Sequence, residues 1–106
     1  MKLILPIVQP KDSARLRRAF VKANIGTTKL SSTGGFLKEG NTTFMMGVED
    51  ERIDEVLNII DNNAKTREEY ITAQETVGTN ASAIPIKVTI GGATVFVLPV
   101  DKFVQF

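Results

Sequence analysis

The chain has 106 residues, 13 Lys plus Arg against 12 Asp plus Glu for a formal net charge of +1, and no Cys, His or Trp. That length suits one domain burying about two thirds of its unfolded surface without staples, and the balanced charge supplies no strong field for nucleic acid or a membrane surface. The missing residue types exclude disulfides, thiol catalysis, a Ser-His-Asp triad and thiolate or imidazole zinc sites, which leaves only all-oxygen metal sites open. No run of 18 apolar residues occurs, and the opening apolar stretch is too short and too strand-like for a secretory signal, so a cytoplasmic protein is expected.

Residues 3–8 form an apolar, β-branched run that predicts a strand covered on at least one face, with Pro6 pointing to an edge position or a bulge. Asp12 or Ser13 is placed to cap a helix running to Ala23, on which Leu16, Ala19, Phe20 and Ala23 recur at helical spacing, and Asn24 is a stop. Arg15, Arg17, Arg18 and Lys22 fill the rest of that helix and read as a solvated face rather than an anion patch. Residues 27–32 predict a second strand and 41–48 a third, antiparallel to it because only Gly34 to Gly40 need to cross over. Gly47 interrupts the third strand, which leaves two readings: a bulge, or the close approach of a ligand or backbone. Asp50 reads as the cap of a second helix with Ile53, Val56, Leu57 and Ile60 on one face, ending near Asn62-Asn63. In that reading Glu49, Asp50, Glu51, Asp54 and Glu55 favour the helix dipole and not a metal ion.

From 65 to 83 the pattern weakens into Thr, Glu, Asn, Ser and Gly, apart from a short strand signal at Tyr70-Ile71-Thr72. A connection of that length is either a functional lid or a plain mobile loop. Residues 84–90 alternate, Gly91-Gly92 reads as a two-residue hairpin turn, and 93–100 is a strongly apolar strand. The order predicts an α+β, ferredoxin-like β-α-β-β-α-β sandwich, an antiparallel sheet with both helices on one face. It forms a single domain over 1–106 with loops at 33–41 and 65–85. An apolar opposite face would need a cover, and self-association is the simplest one.

Between the second and third strands stand Thr33-Gly34-Gly35-Phe36-Leu37 and Gly40-Asn41-Thr42-Thr43-Phe44. Adjacent glycines let a ligand approach the main chain, and an aromatic face beside free N–H groups suits a flat polar molecule such as a nucleobase. The competing reading is a surface hairpin with ordinary glycine punctuation. Catalysis would fall to Asp, Glu, Lys or Tyr70, and no pair of these brackets the glycine loop, so the chain does not read as an enzyme.

Val8-Gln9, Thr28-Lys29-Leu30, the two glycine-loop motifs, Gly47-Val48, Gly91-Gly92-Ala93-Thr94-Val95-Phe96-Val97 and Gln105-Phe106 together resemble the PII-like cyclic di-AMP receptor family over nearly the whole chain. Phe96-Val97-Leu98-Pro99-Val100 also looks like the last core strand of PII signalling proteins at large. The resemblance implies a non-catalytic signal-transduction protein without a cofactor: a homotrimer holding cyclic di-AMP in clefts between subunits and relaying loop rearrangement to an unknown downstream protein. Neither nucleic acid nor a membrane is among the implied partners. The binding positions it implies are Asn24, Thr28, Gly35, Phe36, Leu37, Asn41, Gly47 and, from a neighbouring surface, Phe96. The residue types agree: Phe36 can pack on an adenine, Asn24 and Asn41 offer amides to base edges, and Thr28 offers a hydroxyl. Structural alternatives remain for Asn24 as a helix end, Thr28 as a plain strand residue and Phe96 as core.

Two stretches depart from the family pattern. Ile25-Gly26 stands where family members carry Phe-Arg, which removes a stacking guanidinium worth on the order of 1 kcal/mol. Residues 76–85 replace a Pro-Met-Gly-Gly and Tyr-rich, Pro-rich stretch. An alternative ligand is another adenine nucleotide, ATP or ADP, which would want more cations near the glycine loop than Lys29 and Lys38. A different class of reading is an interaction module with a degenerate nucleotide site, which Gly26 keeps open.

Overall fold

The computed structural model describes residues 1–31, 40–72 and 85–106. Alternation along two strands decides the layering. β1 (Lys2–Val8) pairs antiparallel with β3 (Thr42–Val48), Ile4 opposite Met46 and Val8 opposite Thr42. Side chains two apart share a face of a pleated strand, so Ile4 and Val8 lie on the same side as Phe44, Met46 and Val48, and all five are buried. α1 (Pro10–Lys22) brings Leu16 and Phe20 to that side, and α2 (Ile53–Ala64) brings Val56, Ile60 and Ala64, closing one core. Phe20 meets Phe44 edge to face with ring centroids 6.1 Å apart, an arrangement that adds to the area buried.

The main sheet has the order β2-β3-β1-β6, with β2 (Thr28–Ser31) and β6 (Ala93–Pro99) at its edges and every neighbour antiparallel. Two helices on such a sheet make a small α+β domain consistent with a ferredoxin-like fold. No helix among the described residues is long and apolar enough to cross a membrane.

Several local expectations are corrected. Pro6 lies in an interior strand, and the register is the same on either side of it (Ile4 opposite Met46, Ile7 opposite Thr43), so it marks neither an edge nor a bulge. The pairing to β3 skips Leu5 and Pro6 while the pairing to β6 runs through both. A strand residue turns its N–H toward one neighbour, so the missing donor disturbs one ladder only. Gly91-Gly92 is no hairpin turn, because β5 (Pro85–Ile90) pairs with β4 (Arg67–Thr72) in a separate two-stranded arm while β6 joins β1. The strand signal at Tyr70-Ile71-Thr72 is thus the end of a longer strand. Asp12 is not a cap; Gln9 precedes the helix without a side-chain cap bond, Pro10 opens it, and Asp12 is buried within its first turn. Ser13 donates to the carbonyl of Pro10 from inside the same turn. Asp50 likewise starts a single 3-10 turn, Asp50–Arg52, that follows Glu49 and leads into α2. Gly47 sits in regular register opposite Leu3, so no bulge explains it.

Candidate functional site

The loop flanked by β2 and β3 starts the site. Gly35, Phe36 and Leu37 lie outside the described residues, as does the stretch from 76 to 84. Asn41, just before β3, lines a cleft of about 320 Å³ with Ile7, Gln9, Thr66 and the run from Gly91 to Thr94. Among the described residues its polar lining is neutral: two amides, two hydroxyls and the main chain of two glycines. Gln9 accepts the Gly91 N–H through Oε1 at 2.9 Å, and among the described residues its own NH2 group donates to no protein atom. That fixed amide, with the Asn41 side chain, offers the donors and acceptors a base edge or sugar hydroxyl needs. Gln9, Thr66 and Thr94 were not among the expected binding positions. Gln9 belongs to a family-like dipeptide, but only the fold carries Thr66 and Thr94 to its side.

The other expected positions are not gathered around Asn41. Thr28 lies opposite Met45 and Gly47 opposite Leu3, on the sheet face turned away from the helices. Gly47 is six residue steps from Asn41, about 20 Å at 3.3 Å per residue. Phe96 pairs with Leu5 on that same face, but on the far edge strand, three strand spacings or about 14 Å from β2. It is 36% exposed in the single chain. Leu30, Met45, Phe96 and Leu98 leave this face broadly apolar, and each is at least 36% exposed. On it Thr43 is buried with a hydroxyl that has no hydrogen-bond partner.

Asn24 has a backbone task of its own. Its φ is +60°, its N–H reaches Val21 O at 3.0 Å and the Ile25 N–H reaches Phe20 O at 2.9 Å. This is a Schellman ending, with a buried Ile25 supplying the usual apolar contact. The structural alternative for Asn24 is therefore realised, and its exposed side chain stays available. Beside it, a Cβ placed on Gly26 would meet nothing within 4 Å.

Behind the Asn41 cleft sits a charged contact that the sequence reading missed. Asp12 is fully buried, and its Oδ1 accepts from Arg67 Nη2 at 2.7 Å and from Arg15 Nη2 at 2.9 Å. Arg67 Nη1 adds Asp12 Oδ2 at 3.3 Å and the Lys65 carbonyl at 3.2 Å. The hydrogen bond to Asp12 raises the Arg67 pKa above the ordinary guanidinium value, against the opposing effect of burial. Arg15 also reaches the Asn63 carbonyl at 2.7 Å, so it joins the two helices instead of merely solvating one. Further out, Lys11 bonds Glu69 at 2.8 Å and, with help from Arg67, holds that carboxyl below its ordinary 4.5. Arg17, Arg18 and Lys29 line a separate groove of about 470 Å³ between α1 and β2, floored by Ala14 and Phe44. Among the described residues no group of three or more acids is placed to hold a metal ion.

Two comparisons bear on this arrangement. The crystal structure of a functionally unknown protein from Pediococcus pentosaceus ATCC 25745 is similar at 52% identity, over 99% of this chain and 96% of that one, with a TM-score of 0.82. A family model, the cyclic-di-AMP receptor, matches residues 1–106. A match over every residue of the chain, glycine loop and last strand included, establishes that this protein belongs to the cyclic-di-AMP receptor family.

Proposed function

We propose that this protein is a non-catalytic, cytoplasmic receiver of cyclic di-AMP, which binds between the subunits of a homotrimer and passes the signal to a protein partner through its loops. The observation that carries the reading is the family match over the whole chain together with the neutral, amide-lined Asn41 cleft. The scatter of the expected positions supports a site shared between copies. Thr28 and Phe96 stand on opposite edge strands, and Asn41 and Gly47 at opposite ends of one strand, so one subunit alone would present only fragments. The exposed apolar sheet face would be the surface that association covers.

The lining also weighs the ligand. ATP carries more phosphate charge than a cyclic dinucleotide and would want Lys and Arg around it. Among the described residues the Asn41 cleft has none in its lining, which favours the less charged ligand. Isothermal titration calorimetry with cyclic di-AMP, and with ATP and cyclic di-GMP as controls, tests this. Selective saturation near one ligand per subunit is expected. Phe36→Ala and Asn41→Ala should each weaken it while leaving the far-UV CD spectrum unchanged. Equal affinity in the folded double variant would reject the site. No binding at high micromolar ligand would leave an interaction module whose nucleotide site went with the arginine that Gly26 replaces.

A further inference from the structure

Gly91 is a thin wall. On one side it lines the Asn41 cleft, and its N–H is held by Gln9, itself a cleft residue. On the other side a Cβ added to Gly91 would lie 2.6 Å from Arg67 Nη1, 2.5 Å from the Lys65 carbonyl and 3.4 Å from Asp12 Oδ2. The guanidinium therefore lies directly against the main chain of the cleft wall. Gly92 is close-packed from the cleft side, since a Cβ there would meet the cleft hydroxyl of Thr66 at 2.9 Å. Both glycines have positive φ, +82° and +96°, so they hold a backbone shape that other residues rarely take. Arg67 is also the first residue of β4 and pairs with Ile90, the residue just before the wall. Any shift of Arg67 moves the base of the arm and Gly91 together.

We infer that Arg67 is a positioning residue for the Asn41 cleft: anchored on the buried carboxylate of Asp12, it holds the Gly91-Gly92 wall in place and couples cleft occupancy to the β4–β5 arm. The inference rests on the nucleotide-binding reading above. Arg67 acts through the wall and not by touching the ligand. Its forked contact with both Asp12 oxygens is the part a lysine does not reproduce, because an ammonium is a point charge without the planar fork.

The test is Arg67→Lys, with Asp12→Asn reaching the same contact from the helix and Glu68→Gln as a control that breaks only the exposed Lys87–Glu68 pair on the arm. Affinity for cyclic di-AMP is measured by calorimetry, and amide hydrogen exchange of residues 67–72 and 85–90 with and without ligand. Wild type is expected to bind and to exchange more slowly in the arm when bound, since coupling acts in both directions. Arg67→Lys and Asp12→Asn should weaken binding about twofold to thirtyfold, the range of couplings carried through a packed contact, and lose most of the ligand-induced protection. Wild-type affinity and protection in folded Arg67→Lys or Asp12→Asn would overturn the positioning role alone. An equal loss in Glu68→Gln would also overturn it, by showing that any disturbance of the arm suffices. Absence of binding by the wild type would instead defeat the nucleotide reading, and this inference with it.

Discussion

Removing Arg67 should destabilise this protein more than removing the Asp12 it binds, and removing both should be less harmful than removing Arg67 alone. The reason is where each charge is left. The Asp12 side chain is 0% exposed, whereas Arg67 is 24% and Arg15 49% exposed. Arg67→Ala strands a carboxylate in the interior with Arg15 as its remaining charged partner. Breaking a buried pair costs about 3–5 kcal/mol, and the surviving Arg15 contact brings the expectation to about 3 kcal/mol. Asp12→Ala strands two guanidinium groups that already reach water, so about 1–2 kcal/mol of lost hydrogen bonding is expected. In the double variant no buried charge is left, and stability should recover by about 1 kcal/mol over Arg67→Ala. Urea unfolding followed by far-UV CD measures all four proteins; the chain lacks Trp, and Tyr70 on the arm would report only locally. Chain concentration must be held fixed, because association would add to apparent stability. An Asp12→Ala variant less stable than Arg67→Ala, or strictly additive losses in the double variant, would refute the buried-charge argument.

Three further outcomes are expected. Arginine restored by Gly26→Arg has open space around its Cβ and should tighten cyclic di-AMP binding about fivefold to thirtyfold, the worth of one stacked cation; flat or weaker affinity in calorimetry would mean a differently built pocket. Asn24→Gly keeps the positive φ that ends α1, so its thermal midpoint should stay near wild type while affinity falls; unchanged affinity would confine Asn24 to its helix-ending role. Thr43→Val removes a buried hydroxyl without a partner and should raise stability by about 1 kcal/mol in the same urea assay, whereas a loss of that size would show that the hydroxyl is satisfied.

Local periodicity and contiguous motifs can be read along the chain without knowing its fold. Leu16 and Phe20 on α1, and Val56 and Ile60 on α2, recur at helical spacing because each helix must turn one stripe toward a core. The antiparallel β2–β3 pair follows from the short crossing between them. The family, too, is written in uninterrupted runs such as Thr33-Gly34-Gly35-Phe36-Leu37, matched across residues 1–106. Relations between residues far apart in the chain emerge only on folding. Asp12 looks like a helix cap until Arg67, 55 residues away, is brought to it, and a lone acid carries no local sign of a distant partner. Gly91-Gly92 looks like a hairpin turn until β5 is found paired with β4 and β6 with β1. Pro6 looks like an edge residue until strands close on both sides of it. The candidate site follows the same division. Asn41 was legible in the sequence, but the cleft that joins it to Gln9, Thr66 and Thr94 exists only where strand order and the junction of two sheets bring four separate segments together. Helical and strand periods record which side of a segment is buried, and only folding of the whole chain selects what lies against it.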